Sequence, residues 1–341
     1  MPLDSSTITQ VMQRHGDFSG VVYVQQAGKT VFGAGYGYAN RADELPNTLN
    51  TRFGIASGTK LLTAIAICQL VEQGKLTFET RLQKVLNVPF PHFDPTVTVH
   101  HLLTHTSGVP DYFDEEVQED FGALWLERPT YTMRSPHDFL PMFQNHAMKF
   151  APGERFQYNN GGFVLLGLII EAISGQRYTD YVTEHVLQAA GMTDSGFFAL
   201  NQLPSRTALG YLPMENGQWR TNIFEIPIIG GADGGVFVTA PDVGRFWDAL
   251  SNHRLLSTSM TEQFLSPHAT YPSENGHTGG YGYGIWLVLD GETVSRYYGE
   301  GADPGASFVS MVFPKQKIEM TVISNVQDGA WDVWKALKAL I

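Results

Sequence analysis

Two residues three positions apart, Ser57 and Lys60, pose the first chemical question of this 341-residue chain. They stand in Phe53-Gly54-Ile55-Ala56-Ser57-Gly58-Thr59-Lys60-Leu61-Leu62-Thr63-Ala64-Ile65-Ala66-Ile67, where a loop passes into a helical pattern with apolar residues at 61, 62, 65, 66 and 70. A spacing of three puts both side chains on one face within a turn. A serine at a helix start has main-chain N–H groups and the positive end of the helix dipole beside it, the surroundings that stabilise an oxyanion. A lysine withdrawn from water loses its proton near neutrality and can take the proton of the serine. The chemistry is acyl transfer through a covalent serine intermediate. Ser-x-x-Lys alone also describes a helix-capping serine followed by a solvated lysine, so a second motif has to decide.

That motif is Pro152-Gly153-Glu154-Arg155-Phe156-Gln157-Tyr158-Asn159-Asn160-Gly161-Gly162, placed just before an apolar helix. Tyr158-x-Asn160 presents a phenol and an amide on one side of a short extended turn. A phenol whose pKa is lowered by a neighbouring ammonium exchanges protons with a serine. The amide either donates to a substrate carbonyl or holds the lysine.

The elements that must position these groups follow from pattern. A short helix is expected from about Thr7 to His15, then strands at 20–24 and 30–32 around a Gln-Ala-Gly-Lys turn. The stretch from about 58 to 220 reads as mostly helical. It includes the nucleophile helix, which ends at a left-handed Gly74, and a helix from Gly162 to about Ser174 closing before Gly175. Strands return at 283–289, 293–298, 307–313 and 317–324, and Trp331, Trp334, Leu337 and Ile341 fall at helical spacing. The expected fold class is α/β of the α+β type: an antiparallel sheet built from both chain ends, flanked by helices, with an inserted and mostly helical lobe. The division expected is 1–60 and 225–341 for the sheet domain and 61–224 for the helical lobe, with the active site at the seam.

Composition narrows the function. With 22 Lys and Arg against 34 Asp and Glu, the chain has a formal net charge of −12, which opposes binding to a phosphate backbone. A nucleic-acid partner is not expected; a small-molecule or peptide substrate is. No apolar run approaches the roughly 20 residues of a membrane span. Cys68 is the one cysteine, so neither a disulfide framework nor a cysteine zinc site is expected. His100, His101 and His105 lack the Glu of His-Glu-x-x-His, and His105 reads as a hydrogen-bonded histidine under the cleft rather than a metal ligand. Gly33 to Tyr38 fails Gly-x-Gly-x-x-Gly, and no Gly-x-Ser-x-Gly elbow occurs. The start, Met1 to Ser6, lacks the basic and apolar regions of a secretory leader, so the sequence as it stands reads as cytoplasmic, or as an exported protein already trimmed. Among Tyr112, Phe113, Trp125 and Tyr131, two are expected in the core and two along a substrate pocket.

Six blocks in order resemble the serine hydrolases of the class C β-lactamase and penicillin-binding-protein superfamily. They are Phe32 to Asn40, Thr51 to Lys60, Leu102-Leu103-Thr104-His105-Thr106-Ser107-Gly108-Val109-Pro110, Pro152 to Asn160, Gly234-Gly235-Val236-Phe237-Val238-Thr239-Ala240-Pro241-Asp242, and Tyr281-Gly282-Tyr283-Gly284-Ile285-Trp286. The resemblance implies Ser57 as the acylated nucleophile, Lys60 and Tyr158 as its proton-transfer partners, Asn160 as a substrate-side donor, and neither metal nor organic cofactor.

The pattern departs at the third family motif, where a Lys or His followed by x-Gly is expected. The sequence there reads Tyr298-Gly299-Glu300-Gly301-Ala302-Asp303-Pro304-Gly305, so Glu300 takes the place of the cationic or imidazole donor. His277-Thr278-Gly279 spells the letters but lies before Tyr281, on the wrong side of the strand. Glu300, Gly301 and Asp303 are accordingly candidate substrate-binding residues, with the Asp303 N–H a candidate second oxyanion donor beside that of Ser57. Unless Glu300 is protonated or paired with Arg296 or another cation, it disfavours carboxylated substrates, since two like charges about 4 Å apart repel by on the order of 4 kcal/mol at an effective dielectric near 20. The function expected is hydrolysis of an ester or amide through an acyl-enzyme. The alternatives are a D-amino-acid peptidase or carboxypeptidase, a weak β-lactamase, or a catalytically silent binding module of the same fold.

Overall fold

The structure, a computed structural model, describes residues 3–118, 120–272 and 278–341. Eight strands form one antiparallel sheet: β1 (Gly20–Gln26), β2 (Lys29–Tyr36), β3 (Ala269–Pro272), β4 (Thr278–Tyr281), β5 (Trp286–Asp290), β6 (Thr293–Asp303), β7 (Ala306–Phe313) and β8 (Ile318–Ser324). Their order is β2-β1-β8-β7-β6-β5-β4-β3, so the first strands of the chain join the last through the β1–β8 pair, in which Gly20 lies opposite Ser324. The expectation of an antiparallel sheet drawn from both ends and flanked by helices is borne out.

Alternation along the strands explains why helices cover both faces. Val22, Val24, Val309, Met311, Phe313, Met320 and Val322 point to one face, which α1 (Ser5–Met12) and the C-terminal helix (Gly329–Lys338) close with Ile8, Met12, Val333, Trp334 and Leu337. The intervening residues Val21, Tyr23, Phe308, Val312 and Ile323 point to the other face. There they meet α2 (Lys60–Glu72), α3 (Asn160–Ser174) and α4 (Ala240–Ser251) in the larger core. Both α2 and α3 are apolar nearly all round, with ten of the 13 residues of α2 buried, because they run through the interior instead of lying on a surface.

Some boundaries differ from the sequence reading. Strands β3 and β4, absent from that reading, are short, and the expected strand at 283–289 begins only at Trp286 because Gly284 is left-handed (φ +68°). The middle of the chain is less helical than expected: between α2 and α3 the helices are short, as at Leu82–Val85, Val99–Leu103 and Leu124–Glu127, and a small hairpin pairs Tyr211–Pro213 with Trp219–Thr221. Of the decoy His277-Thr278-Gly279, His277 lies outside the described residues; Thr278 and Gly279 belong to β4, two strands away from β6. Among the described residues, no helix is long and apolar enough to cross a membrane.

Gly284 turns the chain against the start of α2. A Cβ added there would stand 2.6 Å from the Cβ of Ala64 and 3.1 Å from the carbonyl oxygen of Lys60. Gly284→Ala therefore combines a disfavoured φ with a collision, and we expect a loss of roughly 1–3 kcal/mol, read as a lower urea midpoint. An unchanged midpoint would contradict this account of the turn.

Candidate active site

The nucleophile candidate sits at a strained bend. Ala56 is left-handed (φ +47°) although it carries a Cβ, and the short 3-10 turn Ala56–Thr59 leads into α2 at Lys60. Ser57 is thus one turn ahead of the α-helix proper, yet the spacing of three still aligns the two side chains: Lys60 Nζ lies 3.0 Å from Ser57 Oγ. Gly58 and Gly301 permit this geometry. A Cβ on Gly58 would meet the Phe308 ring at 2.6 Å, and one on Gly301 would lie 2.5 Å from the Ile55 carbonyl oxygen and 2.6 Å from the Ser57 nitrogen.

Lys60 is 2% exposed. Besides Ser57, its Nζ donates to Asn160 Oδ1 at 2.8 Å and to the main-chain carbonyl of Asp233 at 2.6 Å. Burial lowers its pKa, while the charges of Asp233, Glu115, Asp111 and Asp303 pull it back up. A neutral amine has two N–H bonds and one lone pair. As an ammonium Nζ donates to all three partners; in the unprotonated form two N–H bonds toward Asn160 and Asp233 leave the lone pair for the serine hydroxyl.

Consecutive asparagines at the start of α3 take different roles. Asn159 caps the helix, accepting from Gly162 N at 2.6 Å and donating to the Val109 carbonyl at 2.8 Å. Asn160 turns its oxygen to Lys60, leaving its amide N–H groups toward the cavity it lines. Asp111 fixes the turn by accepting from the main-chain N–H groups of Asn160 and Gly161 at 2.6 and 2.8 Å. Its pKa is nevertheless pushed up to about 7, because burial outweighs those bonds.

Tyr158 faces Ser57 and Lys60, with the amine 4.9 Å from the ring centroid. The expected lowering of its pKa is overturned: burial, with the Glu115 charge second, holds the phenol well above its ordinary value, outweighing the bond with Ser57. Burial thus favours the protonated phenol over a standing phenolate. His105 lies behind it, its ring centroid 4.6 Å from that of Tyr158. His105 Nδ1 accepts from Asn159 N at 3.1 Å, so Nε2 carries the hydrogen toward Tyr281 Oη at 3.1 Å. Burial keeps this imidazole neutral, in keeping with the hydrogen-bonded role read from the sequence. Among the described residues, no group of His, Cys, Asp and Glu has the arrangement to hold a metal ion.

The residues of the third motif separate. Gly301 and Asp303 line the cavity that contains Ser57, Tyr158 and Asn160, a space of about 580 Å³. Glu300 is not among the lining residues; its carboxyl stands near Tyr271, Tyr281 and Tyr298, whose phenols are pushed up first by burial and further by the Glu300 charge. Arg296 is four residues away along the same strand, a span of about 13 Å, and lies over Phe313, so no ion pair forms. Burial pushes Glu300 and Asp303 each up to about 7. The cavity is lined instead by the carboxyl groups of Asp233, Asp303, Asp120 and the exposed Glu115, and by Glu225, which is paired with Arg220. Sequence reasoning missed Asp233 and Glu115. The block beginning at Gly234 adjoined the former, and Gly-Gly-Ala-Asp-Gly-Gly around it was the available signal. Of the four aromatics, Tyr112 and Phe113 line the cavity, Trp125 is buried in the core, and Tyr131 is exposed.

A model of the Beta-lactamase family matches residues 5–340, and the chain belongs to that family. Members are serine hydrolases acting on amide or ester bonds, and this chain is one of them. It is similar to Penicillin-binding protein 4* of Bacillus subtilis (strain 168), 29% identical over 349 residues that span 98% of this chain and 74% of the relative. Among solved structures, the penicillin binding protein from Bacillus halodurans matches with a TM-score of 0.93 and 48% identity, covering 98% of this chain and all of that one. The octameric penicillin-binding protein homologue from Pyrococcus abyssi matches with a TM-score of 0.81 and 29% identity over 98% of this chain and 75% of that one.

Because the collision at Gly301 is with main-chain atoms, Gly301→Ala must push β6 away from the Ser57 turn. We expect ester turnover to fall at least tenfold with a melting temperature lowered by only a few degrees; wild-type turnover would show that the close approach is not needed.

Proposed function

We propose that Ser57 is the acylated nucleophile, Lys60 in its neutral form the base that takes its proton, and Tyr158 the phenol that passes a proton between the serine oxygen and the leaving group. The observation that carries this reading is the amine of Lys60, 3.0 Å from Ser57 Oγ, with its other two partners both acceptors. The Ser57 Oγ–H bond breaks as the Oγ–carbon bond forms, and the proton moves to Lys60 Nζ. The bond between the acyl carbon and the leaving amine or alkoxide then breaks; the leaving group takes the Tyr158 phenol proton, and the Lys60 ammonium returns its proton to Tyr158, restoring both groups. Water repeats the sequence to release the acyl group.

The oxyanion is assigned to the Ser57 N–H and to a second donor at the end of β6. Asp303 lies opposite Ala306 across a two-residue turn, where paired residues exchange main-chain bonds. Alternation then directs the Ala302 N–H, not that of Asp303, away from β7 and toward the cleft. The site falls between the sheet, with its helices, and the lobe that carries Tyr158 and Asn160, which supports the division into 1–60 with 225–341 and 61–224.

Substrate charge follows from the lining. The electrostatic argument made for Glu300 passes to Asp303, Asp233 and Glu115, which line the cavity together with Asp120 and the Arg220–Glu225 ion pair. They oppose a carboxylated substrate and favour a neutral ester or amide, or one with a free amine, as a D-amino-acid peptidase would use. With Glu300 turned away from the cavity, the reason for suspecting a catalytically silent module is removed.

A test compares three chromogenic esters of equal size, one neutral, one with a carboxylate and one with an ammonium, using wild type and Ser57→Ala. We expect the carboxylated ester to be cleaved at least tenfold more slowly than the neutral one. Asp303 titrates near 7, so it is neutral at pH 6 and charged at pH 8. The preference for the ammonium ester over the neutral one should therefore grow across that interval, for as long as the amine stays protonated. A fluorophosphonate adduct, seen by intact mass, should be present in wild type and absent in Ser57→Ala. No adduct from several acylating agents would overturn the mechanism, and faster cleavage of the carboxylated ester would overturn the charge preference.

A further inference from the structure

Holding Lys60 requires only the main-chain carbonyl of residue 233, which any amino acid supplies. The Gly230–Gly235 turn that presents it is clamped without help from the side chain. Gly231 N donates to the Gly234 carbonyl at 2.8 Å, Gly235 N to the Ala56 carbonyl at 3.1 Å, and Val236 N to Thr59 Oγ1 at 3.0 Å. Thr63 Oγ1 donates to the Ala232 carbonyl at 2.6 Å. The aspartate is nonetheless 8% exposed, and its Oδ2 accepts from Tyr112 Oη at 2.5 Å. A carboxyl group withdrawn from water carries a large penalty unless something answers its charge. Burial accordingly pushes the Asp233 pKa up; the Lys60 charge, present only when the amine is protonated, and the Tyr112 hydrogen bond oppose that rise.

We propose that the carboxylate of Asp233, held in place by the Tyr112 hydroxyl, is the counter-charge against which the amine of Lys60 takes up the serine proton. The inference rests on the function proposed above. In the acylation step the Ser57 O–H bond breaks and the Lys60 N–H bond forms, so a positive charge appears on Nζ. Asp233 gains no proton and Tyr112 loses none; the carboxylate lowers the energy of the new ammonium by its fixed charge.

Other groups face Lys60 from each element packed on it, and none duplicates this role. Ser57 and Thr63 from its own segment, and Asn160 from α3, are neutral. Tyr158 and Tyr112 remain phenols, and His105 remains an uncharged imidazole. Asp111 is occupied by two main-chain N–H groups. Glu115 and Asp303 line the same cavity as Asp233 but are more open to it, Glu115 exposed and Asp303 half-buried, so solvent or substrate screens them more. Among the four acidic groups that raise the pKa of Lys60, Asp233 has the largest effect.

The test is the pH profile of kcat/KM for an uncharged ester, which reports the free enzyme's base on its acid limb. Asp233→Asn keeps the main-chain carbonyl, the shape and an acceptor for Tyr112, and removes only the charge. We expect its acid limb to move to lower pH by about one unit and its plateau to fall roughly three- to tenfold, with KM within about twofold of wild type. Tyr112→Phe, the second variant, leaves a buried carboxyl that is more readily protonated, and should move the limb the same way by less. An acid limb within about 0.2 units of wild type in either folded variant, or a limb moved to higher pH, would overturn the proposal and leave the side chain a packing residue. That result is distinct from failure of the proposed function, which would appear as wild-type turnover that survives Ser57→Ala.

Discussion

Withdrawal of one ammonium-forming group from water is the constraint around which this structure is arranged. Lys60 lies in the larger core, at the first turn of a helix that is otherwise apolar. Desolvation by several kcal/mol is the ordinary cost of burying such a group charged, and the group responds by releasing its proton. What keeps the neutral amine in one orientation is the placement of two acceptors, Asn160 Oδ1 and the Asp233 carbonyl. Each comes from a distant part of the chain: Asn160 from the start of α3, which packs on α2, and Asp233 from the Gly230–Gly235 turn, which is bonded to Ala56 and Thr59. Loss of either acceptor would free an N–H bond to turn toward the serine, and the lone pair would then point elsewhere.

The aromatic wall beside the amine serves the same end. Tyr158, His105, Tyr281 and Trp286 contact one another, with Tyr158 and Trp286 nearly parallel (11°) and His105 tilted 52° against Tyr281. These rings exclude water from one side of Lys60, and Phe163 closes another, its ring centroid 5.5 Å from Nζ. The same exclusion holds the Tyr158 phenol protonated. The two proton-transfer partners are shifted in opposite directions by one cause, and both toward their uncharged forms: burial lowers the pKa of the amine and raises that of the phenol. A pair so divided can accept a proton at one position and donate it at the other without either group being ionised beforehand.

Much of this was legible in the sequence, because several of the determinants are local. Ser57 and Lys60 are one turn apart, Tyr158 and Asn160 two residues apart, and the alternation in β7 and β8 sorts their side chains onto two faces. The Gly74 and Gly175 helix ends were legible for the same reason, since a left-handed glycine is a property of one residue. What was not legible depends on contacts between distant segments. Whether Tyr158 would be lowered by the amine or raised by burial is decided by rings from residues 105, 281 and 286, and no spacing within 152–162 contains that information. Glu300 was assigned to the cavity by its place in a motif, but parity along β6 sends its side chain among Tyr271, Tyr281 and Tyr298, while Asp303 at the strand end faces the serine. Strands β3 and β4 escaped because short, mixed segments have no period of their own until they pair with β5.

The acidic lining and the buried amine act against each other, and the balance decides what the site can do. Each carboxylate near Lys60 raises its pKa and so reduces the fraction present as free base at a given pH. Each also stabilises the ammonium once the serine proton has arrived. The first effect acts on the resting enzyme and the second on the transition state, so a carboxylate at a fixed distance shifts the working pH upward while making the amine a stronger base. Glu115 and Asp303 border the space a substrate fills, and a bound ammonium would neutralise their influence on Lys60. That would return the amine toward its uncharged form at the moment a substrate is in place. A bound carboxylate would have the reverse effect, adding to the negative field and holding Lys60 protonated. On the function proposed above, selection by charge in this cavity would be exercised twice, on binding and again on the protonation state of Lys60.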